Sequence, residues 1–377
     1  MIVYKIINYL CHLMNTLENI ASKALGLEPI TADEAMCLYN DLPLPELMLL
    51  AGRLRQIHVP GNKVGWIIDR NVNITNICFS QCKFCNFCRS PGDPDTYVTG
   101  IDEYRKKITE LFEKGGKQLL LQGGMHPSLG LSFYTDLFKQ LKHEFPDLRL
   151  HALGPPEVVH LARKERSTYR KILEQLVIAG LDSLPGAGAE ILVDRVRKIV
   201  SPAKASSEEW LEVMRVAHQM NLPTSATMMY GHIETAEERI MHLIRLRDLQ
   251  SEKPDGHYGF ITFIPWPFQD KGTVLAQKYG VYNTTGITDH IRIIAISRIV
   301  LNNIRNIQSS ILTTGKDTAL MTLHCGSNDL GSVMIEENVV SAAGSYNMFS
   351  ASELRSIIRE AGFRPVLRNQ KYEIVKE

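Results

Sequence analysis

Short apolar runs alternate along this chain with longer stretches in which apolar residues recur every three or four positions. The first pattern predicts buried strands and the second predicts amphipathic helices. Strand candidates fall at residues 66–75, 118–122, 148–153, 181–184, 224–230, 259–264, 306–312 and 321–325. Helix candidates lie between them at 101–114, 133–145, 167–179, 207–220, 236–249 and 289–302. Strand and helix in strict alternation imply βα units and a parallel sheet, and about eight such units suit a closed (β/α)8 barrel of the TIM type. The expected organisation is an N-terminal helical extension over residues 1–60, a barrel over 61–331 and a C-terminal helical extension over 332–377. A short strand near 372–375 closes the last segment.

Local chemistry supports this division. Thr31 followed by Glu34 is a capping-box signature for a helix inside the first extension. Pro43 and Pro45 interrupt the helical pattern there, and it resumes at 47–57. The opening stretch MIVYKIINYLCHLMN reads as an amphipathic first helix or as a leader upstream of a start at Met14. Composition changes the picture only by exclusion. The 42 basic and 41 acidic residues leave no net field for nucleic acid or anionic lipid. An apolar share of 44% and a charged share of 22% are those of a globular protein. No apolar run approaches the ~20 residues of a membrane span.

The candidate chemistry begins in the loop after the first strand. Cys78, Cys82 and Cys85 stand in a Cys-x3-Cys-x2-Cys spacing. So short a loop can direct three thiolates at three irons of one cubane cluster and leave the fourth iron open, as a catalytic centre requires. A zinc site would want a second cysteine pair, and Cys11, Cys37 and Cys325 are isolated. Cys82, Cys85 and Cys88 also have cluster spacing, but a ferredoxin would want a fourth thiolate and a far smaller domain. Cys88 reads as a spare thiol, with its role open. Seven cysteines without paired spacing fit a reducing cytoplasm.

The trio, with Phe84 before its last cysteine, resembles the radical S-adenosylmethionine (SAM) enzymes. That resemblance implies a 4Fe–4S cluster whose open iron chelates SAM, and a reducing electron donor such as a flavodoxin or ferredoxin. In that superfamily a Gly-Gly-Glu after the second strand holds the SAM amino group. Here Gln122, Gly123 and Gly124 stand at that point, so the role would fall to backbone carbonyls. Glu190 is a candidate for the SAM ribose or amine, and Arg197 and Lys204 for its carboxylate. After the fifth strand, His232 and Glu234 are titratable groups suited to proton transfer. After the sixth, Trp266 and Phe268 offer rigid apolar walls beside Gln269. Asn328 and Asp329 follow the last strand candidate, with Glu336 and Glu337 beyond.

Several longer stretches narrow the resemblance. NITNICFSQCKFCNF, LLLQGGMHPSLGLSFY, GPPEVVHLAR, TSATMMYGHIET, FITFIPWPFQ and GSNDLGSVMIEENVVSAAG are similar to the cyclic dehypoxanthinyl futalosine synthase family of the futalosine route to menaquinone. The similarity runs from about residue 20 to the end, and LLQGG with LGL, GPPE and FIPWPFQ set it apart from the aminofutalosine synthases. Cys88 departs from the family pattern, which has an aromatic there. The family's reaction abstracts a hydrogen from the substrate's ribose, joins that carbon to a benzoate ring, and loses one electron and one proton. It asks for a base, with His232, Glu234 and Asp329 as candidates, and for a partner to the benzoate carboxylate, with Arg89 or His126 as candidates. No nucleic acid and no membrane enter this reading; the partner is a small-molecule substrate. The rival classes are an aminofutalosine synthase or deazaflavin-cofactor synthase on the same barrel, and a non-enzymatic iron–sulfur electron carrier.

Overall fold

The computed structural model of the protein describes residues 2–336, 338, 342 and 347–376. Glu337 lies outside them. Strands β1 (Lys63–Ile67) and β2 (Asp69–Asn73) form one nearly continuous rod interrupted at Ile68. Parallel pairing then runs β2–β3 (Gln118–Gln122)–β4 (Arg149–Ala152)–β5 (Leu181–Ser183). A bridge from Leu184 to Thr224 passes the ring to β6 (Thr224–Tyr230), which pairs with β7 (Phe260–Pro267) and β8 (Asn306–Ile307). A second bridge, Gln308 to Asp329, reaches β9 (Asp329–Ser332). The segment after β9 closes the ring, since Val333 N donates to Ile67 O at 3.0 Å and Ile335 N to Asp69 O at 3.1 Å. Parallel order around a closed ring sends every strand's carboxyl end to the same rim, the rim at which enzymes of this architecture keep their sites.

Helices α4 (Ile101–Glu113), α5 (Leu131–Glu144), α7 (Tyr169–Ala179), α9 (Ser207–Gln219), α10 (Ala236–Ser251) and α12 (Ile287–Val300) return the chain between strands. The capping boxes Ser206/Glu209 and Thr235/Glu238 fix two of their starts by pairing backbone N–H groups that would otherwise be unsatisfied. Three short helices were not expected, α6 (Pro155–Lys164), α8 (Asp194–Val200) and α11 (Val274–Tyr279). Prolines 155 and 156 look like a strand terminus in sequence, yet proline is favoured in the first helical turn, where no N–H is needed. At the N-terminus, α2 (Ala32–Asp41) and α3 (Leu44–His58) cover α10 and α12, and α1 (Ile2–Leu25) packs on α2 and α3. Thr31 and Glu34 form the anticipated capping box. Arg292 fastens the cover by donating to Tyr39 O at 2.8 Å and Leu42 O at 3.1 Å.

The expected strand at 321–325 is instead the end of α13 (Ile311–His324). A short buried apolar run carries no period that separates helix from strand. This changes the meaning of the next residues: Asn328 and Asp329 open β9 at the amino-terminal end of the barrel rather than following a strand at its mouth. The C-terminal segment is also more than helical. After α14 (Ala351–Glu360), β10 (Arg364–Arg368) pairs parallel with β1 and antiparallel with β11 (Ile374–Lys376), closing the barrel from below.

Under that floor Arg368 grips Asp329, Nε to Oδ2 at 2.5 Å and Nη2 to Oδ1 at 2.8 Å. Asp329 is fully buried and Arg368 nearly so. A Cβ at Gly65 would strike the Asp329 carboxylate, so β1 needs a glycine there. Asp329→Ala should cost about 3–5 kcal/mol in denaturant unfolding, because a buried guanidinium would lose its counter-charge. The double variant Asp329→Leu/Arg368→Met should recover most of that loss, and a single variant as stable as wild type would contradict the pairing.

Three buried histidines set a second expectation. Burial holds His218 and His242 down to about 3 and His290 down to about 4. All three are therefore neutral in the fold but take a proton near pH 6.5 once unfolded. Stability should be complete above about pH 7 and should fall as the pH drops towards 4, each histidine contributing on the order of 1 kcal/mol. Unfolding free energies compared at pH 7.5 and 5 measure it; equal values would show that these rings are not held neutral.

Candidate functional site

The rim is shaped by the loop between β2 and α4. Its backbone is tied at several points: Cys78 N to Arg89 O at 3.0 Å, Arg89 N to Asn76 O at 2.8 Å, Phe79 N to Met125 O at 3.2 Å and Lys83 N to Val200 O at 2.9 Å. Arg89 staples the loop from within, pairing with Asp95 at 2.7 Å and donating to the carbonyls of Asn86 and Cys88, both at 3.0 Å. Cys78, Cys82, Cys85 and Cys88 all line one cavity of about 180 Å³, together with Phe84, Gln122, Gly123, Gly124 and Glu157. Among the described residues no three His, Cys, Asp or Glu side chains converge on a single metal ion. Thiols spread around a shared cavity suit a multi-iron cluster better than a mononuclear site.

Several features fit such a group. A Cβ at Gly124 would lie 2.6 Å from Ile77 C and 2.9 Å from Cys78 Cβ, so only glycine lets β3's end pack under the cysteine loop. Met125 N donates to Cys78 Sγ at 3.3 Å, the kind of contact that stabilises a thiolate ligand. Cys88 Sγ is directed at Cys78 O, 3.3 Å away.

Across the cavity, Lys204 donates to Glu190 Oε1 at 2.8 Å and lies 5.3 Å from the Phe84 ring centre. Burial opposes the Lys204 charge, but Cys82 and Glu190 hold the ammonium above its usual range. Glu190 has a left-handed backbone, φ 42°, and its Oε2 makes no hydrogen bond but is ion-paired with Arg197 Nη1 at 3.6 Å. Backbone strain at a buried carboxylate held between two cations is characteristic of a functional position. Trp266, Gln122, Ala187 and Gly188 face both this cavity and a second one of about 330 Å³ that descends inside the barrel.

Residues 72–246 match the radical SAM superfamily and residues 257–377 match the CofH/MqnC C-terminal region. A cyclic dehypoxanthine futalosine synthase from Streptomyces coelicolor is 40% identical over 95% of this chain and 88% of its own. The chain belongs to the radical SAM superfamily. A 5-amino-6-(D-ribitylamino)uracil–L-tyrosine 4-hydroxyphenyl transferase from Methanosarcina acetivorans is 38% identical over 92% of this chain and 91% of its own. The crystal structure of methylornithine synthase shares the fold, with a TM-score of 0.67 at 18% identity, covering 92% of this chain and 97% of that one.

In this radical SAM enzyme the anticipated residues separate into two groups. Cys78, Cys82, Cys85, Phe84, Gln122, Gly123, Gly124, Lys204 and Trp266 line the cysteine cavity, and Glu190 lines the barrel cavity beside it. The others face elsewhere. Arg197 donates to the backbone of Gly188 at 3.1 Å and Ala205 at 2.6 Å and backs Glu190 from outside the cavities, Nη1 to Oε2 at 3.6 Å. His232 is fully buried at its side chain and lines neither cavity. Its Nε2 donates to Met229 O at 3.0 Å while Nδ1 accepts from Ile233 N at 2.8 Å. The ring is therefore neutral, and its 3.0 Å approach to Glu234 is not a salt bridge. Glu234 caps the turn after β6, accepting from Gly231 N at 2.6 Å and Arg239 Nε at 2.7 Å.

Phe268 is buried against His232, and Gln269 turns back to Pro267 O. His126 accepts from Ser128 N at 3.0 Å. Asn328 joins Arg298, Ile307 N and Asn306 at the barrel's lower end, near Asp329. Glu336 pairs with Lys107 at 2.5 Å and Arg70 at 3.1 Å. Arg89, His232, Glu234, Asp329 and Asn328 thus have partners of their own outside the two cavities.

Sequence reasoning passed over Glu157, at the start of α6, and the inward side of β2. Burial pushes the Glu157 carboxyl up to about 7. Asp69, Asn71 and Asn73 recur at every second position of a strand, which is the signal of a polar barrel lining. In anaerobic reconstitution, Cys82→Ala should lose the cluster's visible absorption and Cys88→Ala should keep it. Gly124→Ala should fold yet bind several-fold less iron, because its Cβ displaces Cys78. Full iron in Gly124→Ala, or loss of the cluster in Cys88→Ala, would reassign the ligands.

Proposed function

We propose that this enzyme cyclises dehypoxanthinyl futalosine to its spiro product in menaquinone biosynthesis. The observation that carries the reaction class is the placement of three thiols on one cavity that continues into a closed, polar-lined barrel. The similarity to the Streptomyces synthase over nearly the whole chain supports the substrate. Cys78, Cys82 and Cys85 would hold a 4Fe–4S cluster, and the β3 terminus, Glu190, Lys204 and Phe84 would receive SAM. Together these cofactors supply reductive cleavage to a 5′-deoxyadenosyl radical, which removes hydrogen from unactivated carbon.

The protein's own part is to bind, orient and exclude. Lys204 and Glu190 form a charge pair beside the thiols, and Arg197 backs the second carboxylate oxygen at 3.6 Å. Trp266, shared by both cavities, offers an apolar wall where an aromatic ring and the SAM adenosine would meet. The deep cavity is closed below by β10 and the turn after it, which keeps bulk water from a carbon radical. For the final proton the geometry favours a group that lines the upper cavity, such as Glu157, over His232, Glu234 and Asp329. The electron would come from a flavodoxin or ferredoxin in a cytoplasm. Six unpaired cysteines among the described residues fit a reducing compartment, and no described helix is long and apolar enough to cross a membrane.

A second reading has the same support in kind: the Methanosarcina relative is named for joining tyrosine to a ribitylaminouracil, at nearly equal identity. Anaerobic incubation of the reconstituted enzyme with SAM and dithionite should convert dehypoxanthinyl futalosine to a product two hydrogens lighter, alongside 5′-deoxyadenosine. It should leave tyrosine with ribitylaminouracil unchanged. The reverse pattern would replace the cyclase with the transferase, and no deoxyadenosine with either would leave an electron carrier.

A further inference from the structure

Below the rim, the barrel holds polar groups that the chain itself leaves unused. Asn71 on β2, Gln118 on β3 and Gln370, two residues beyond β10, all line the deep cavity. They are 4, 8 and 7% exposed. Asn71 Oδ1, Gln118 Oε1 and both amide atoms of Gln370 lack hydrogen-bond partners. Buried polar atoms are nearly always paired, so four unpaired ones around one cavity point to a bound group.

The chemistry of that group follows from what is missing. Gln118 Nε2 is already committed to Asp69 Oδ2 at 3.0 Å, which leaves its oxygen free. Three of the four unused atoms are acceptors and one is a donor. A carboxylate only accepts and could use just one of them, whereas an alcohol both donates and accepts. Nor do the described residues lining this cavity include a spare cation. Arg368 gives Nε and Nη2 to the two oxygens of Asp329. Burial and the Arg368 charge keep His151 neutral, down to about 4. The floor therefore suits neutral hydroxyl groups and does not suit an anion.

Gln118 begins β3 and Gln122 ends it. At ~3.3 Å per residue the floor lies roughly 13 Å below the rim, room enough for a sugar beneath the SAM site.

We propose that Asn71, Gln118 and Gln370 form a hydroxyl-recognition floor that seats the sugar end of the substrate. This rests on the cyclase reading. Held from below by its hydroxyls, the ribose presents its opposite edge upward, where its hydrogen is to be removed. The benzoate carboxylate is then directed away from the floor.

The test titrates reconstituted holoenzyme with dehypoxanthinyl futalosine and with its 2-deoxy and 3-deoxy ribose analogues, reading both binding and turnover. Wild type should bind at least one deoxy analogue about 10-fold more weakly. Gln370→Met should bind the parent compound about 10-fold more weakly and should no longer distinguish that analogue, because the lost hydroxyl and the lost amide are one contact. Gln370→Glu should recover part of the affinity. Independent, multiplying losses would overturn the floor, as would a Gln370→Met variant that binds the parent as tightly as wild type. If Gln370→Met fails to fold by thermal melting and iron content, Asn71→Ser carries the same comparison. A wild-type enzyme that cyclises the parent while binding all three compounds equally removes the floor alone. One that neither binds nor cyclises the parent removes the cyclase reading and the floor with it.

Discussion

The hydrogen bonds Gly124 N to Thr75 O, 2.7 Å, and Phe79 N to Met125 O, 3.2 Å, tie the cysteine loop to the carboxyl end of β3. The positions of the thiols follow from that tie. A loop of this length has no apolar core of its own, so its conformation comes from neighbouring backbone. The neighbours are fixed in turn by the ring of parallel strands, and the ring closes where β9 pairs with β1 and the segment after β9 bonds to Ile67 and Asp69. The same rod, β1 with β2, meets β10 at its lower part and β3 at its upper part. One strand therefore positions both the rim and the floor, and an error in its register would displace the two together.

The barrel interior differs from a packed hydrophobic core. Asp69, Asn71 and Asn73 on β2, Gln118 and Gln122 on β3 and His151 on β4 face inward, while Val72, Leu119 and Leu121 face the surrounding helices. Buried amides of this kind lower stability unless they are paired. The apolar layer between ring and helices compensates, with Leu119, Leu121, Leu150 and Trp210 wholly buried. Stability thus resides mainly outside the ring and recognition inside it. That separation lets one fold carry different substrates by changing the lining alone.

Most of the ring was legible in the sequence because the strands are short, apolar and bounded by glycine or proline. β3 and β6 fall at the residues expected, and the capping boxes mark helix starts through a mechanism rather than a tendency. The cysteine loop was legible because ligand spacing is a local property. What failed was also local. The run 321–325 is apolar in either conformation, and reading it as a strand moved Asn328 and Asp329 from the floor to the mouth. His232 and Glu234 do follow a strand, but their side chains turn into the loop's own backbone. Position after a strand fixes which end of the barrel a residue occupies. It does not fix whether the side chain faces the cavity.

That distinction bears on how the two ends of the cavity divide their work. Around the thiols lie an ammonium, the carboxylate paired with it and a backbone edge opened by glycine, all suited to a charged cofactor. Around the floor lie neutral amides and the Asp69 carboxylate beside a closed ion pair, with no spare cation among the described residues. A ligand carrying both an anionic and a hydroxylated end would be oriented by this difference alone, since moving a carboxylate to the floor would bury it against three carbonyl oxygens. Orientation of that kind needs no moving part. It is set by which residues of β2, β3 and the turn after β10 point inward, which is why Gln370, near the end of the chain, can bear on chemistry begun at Cys78.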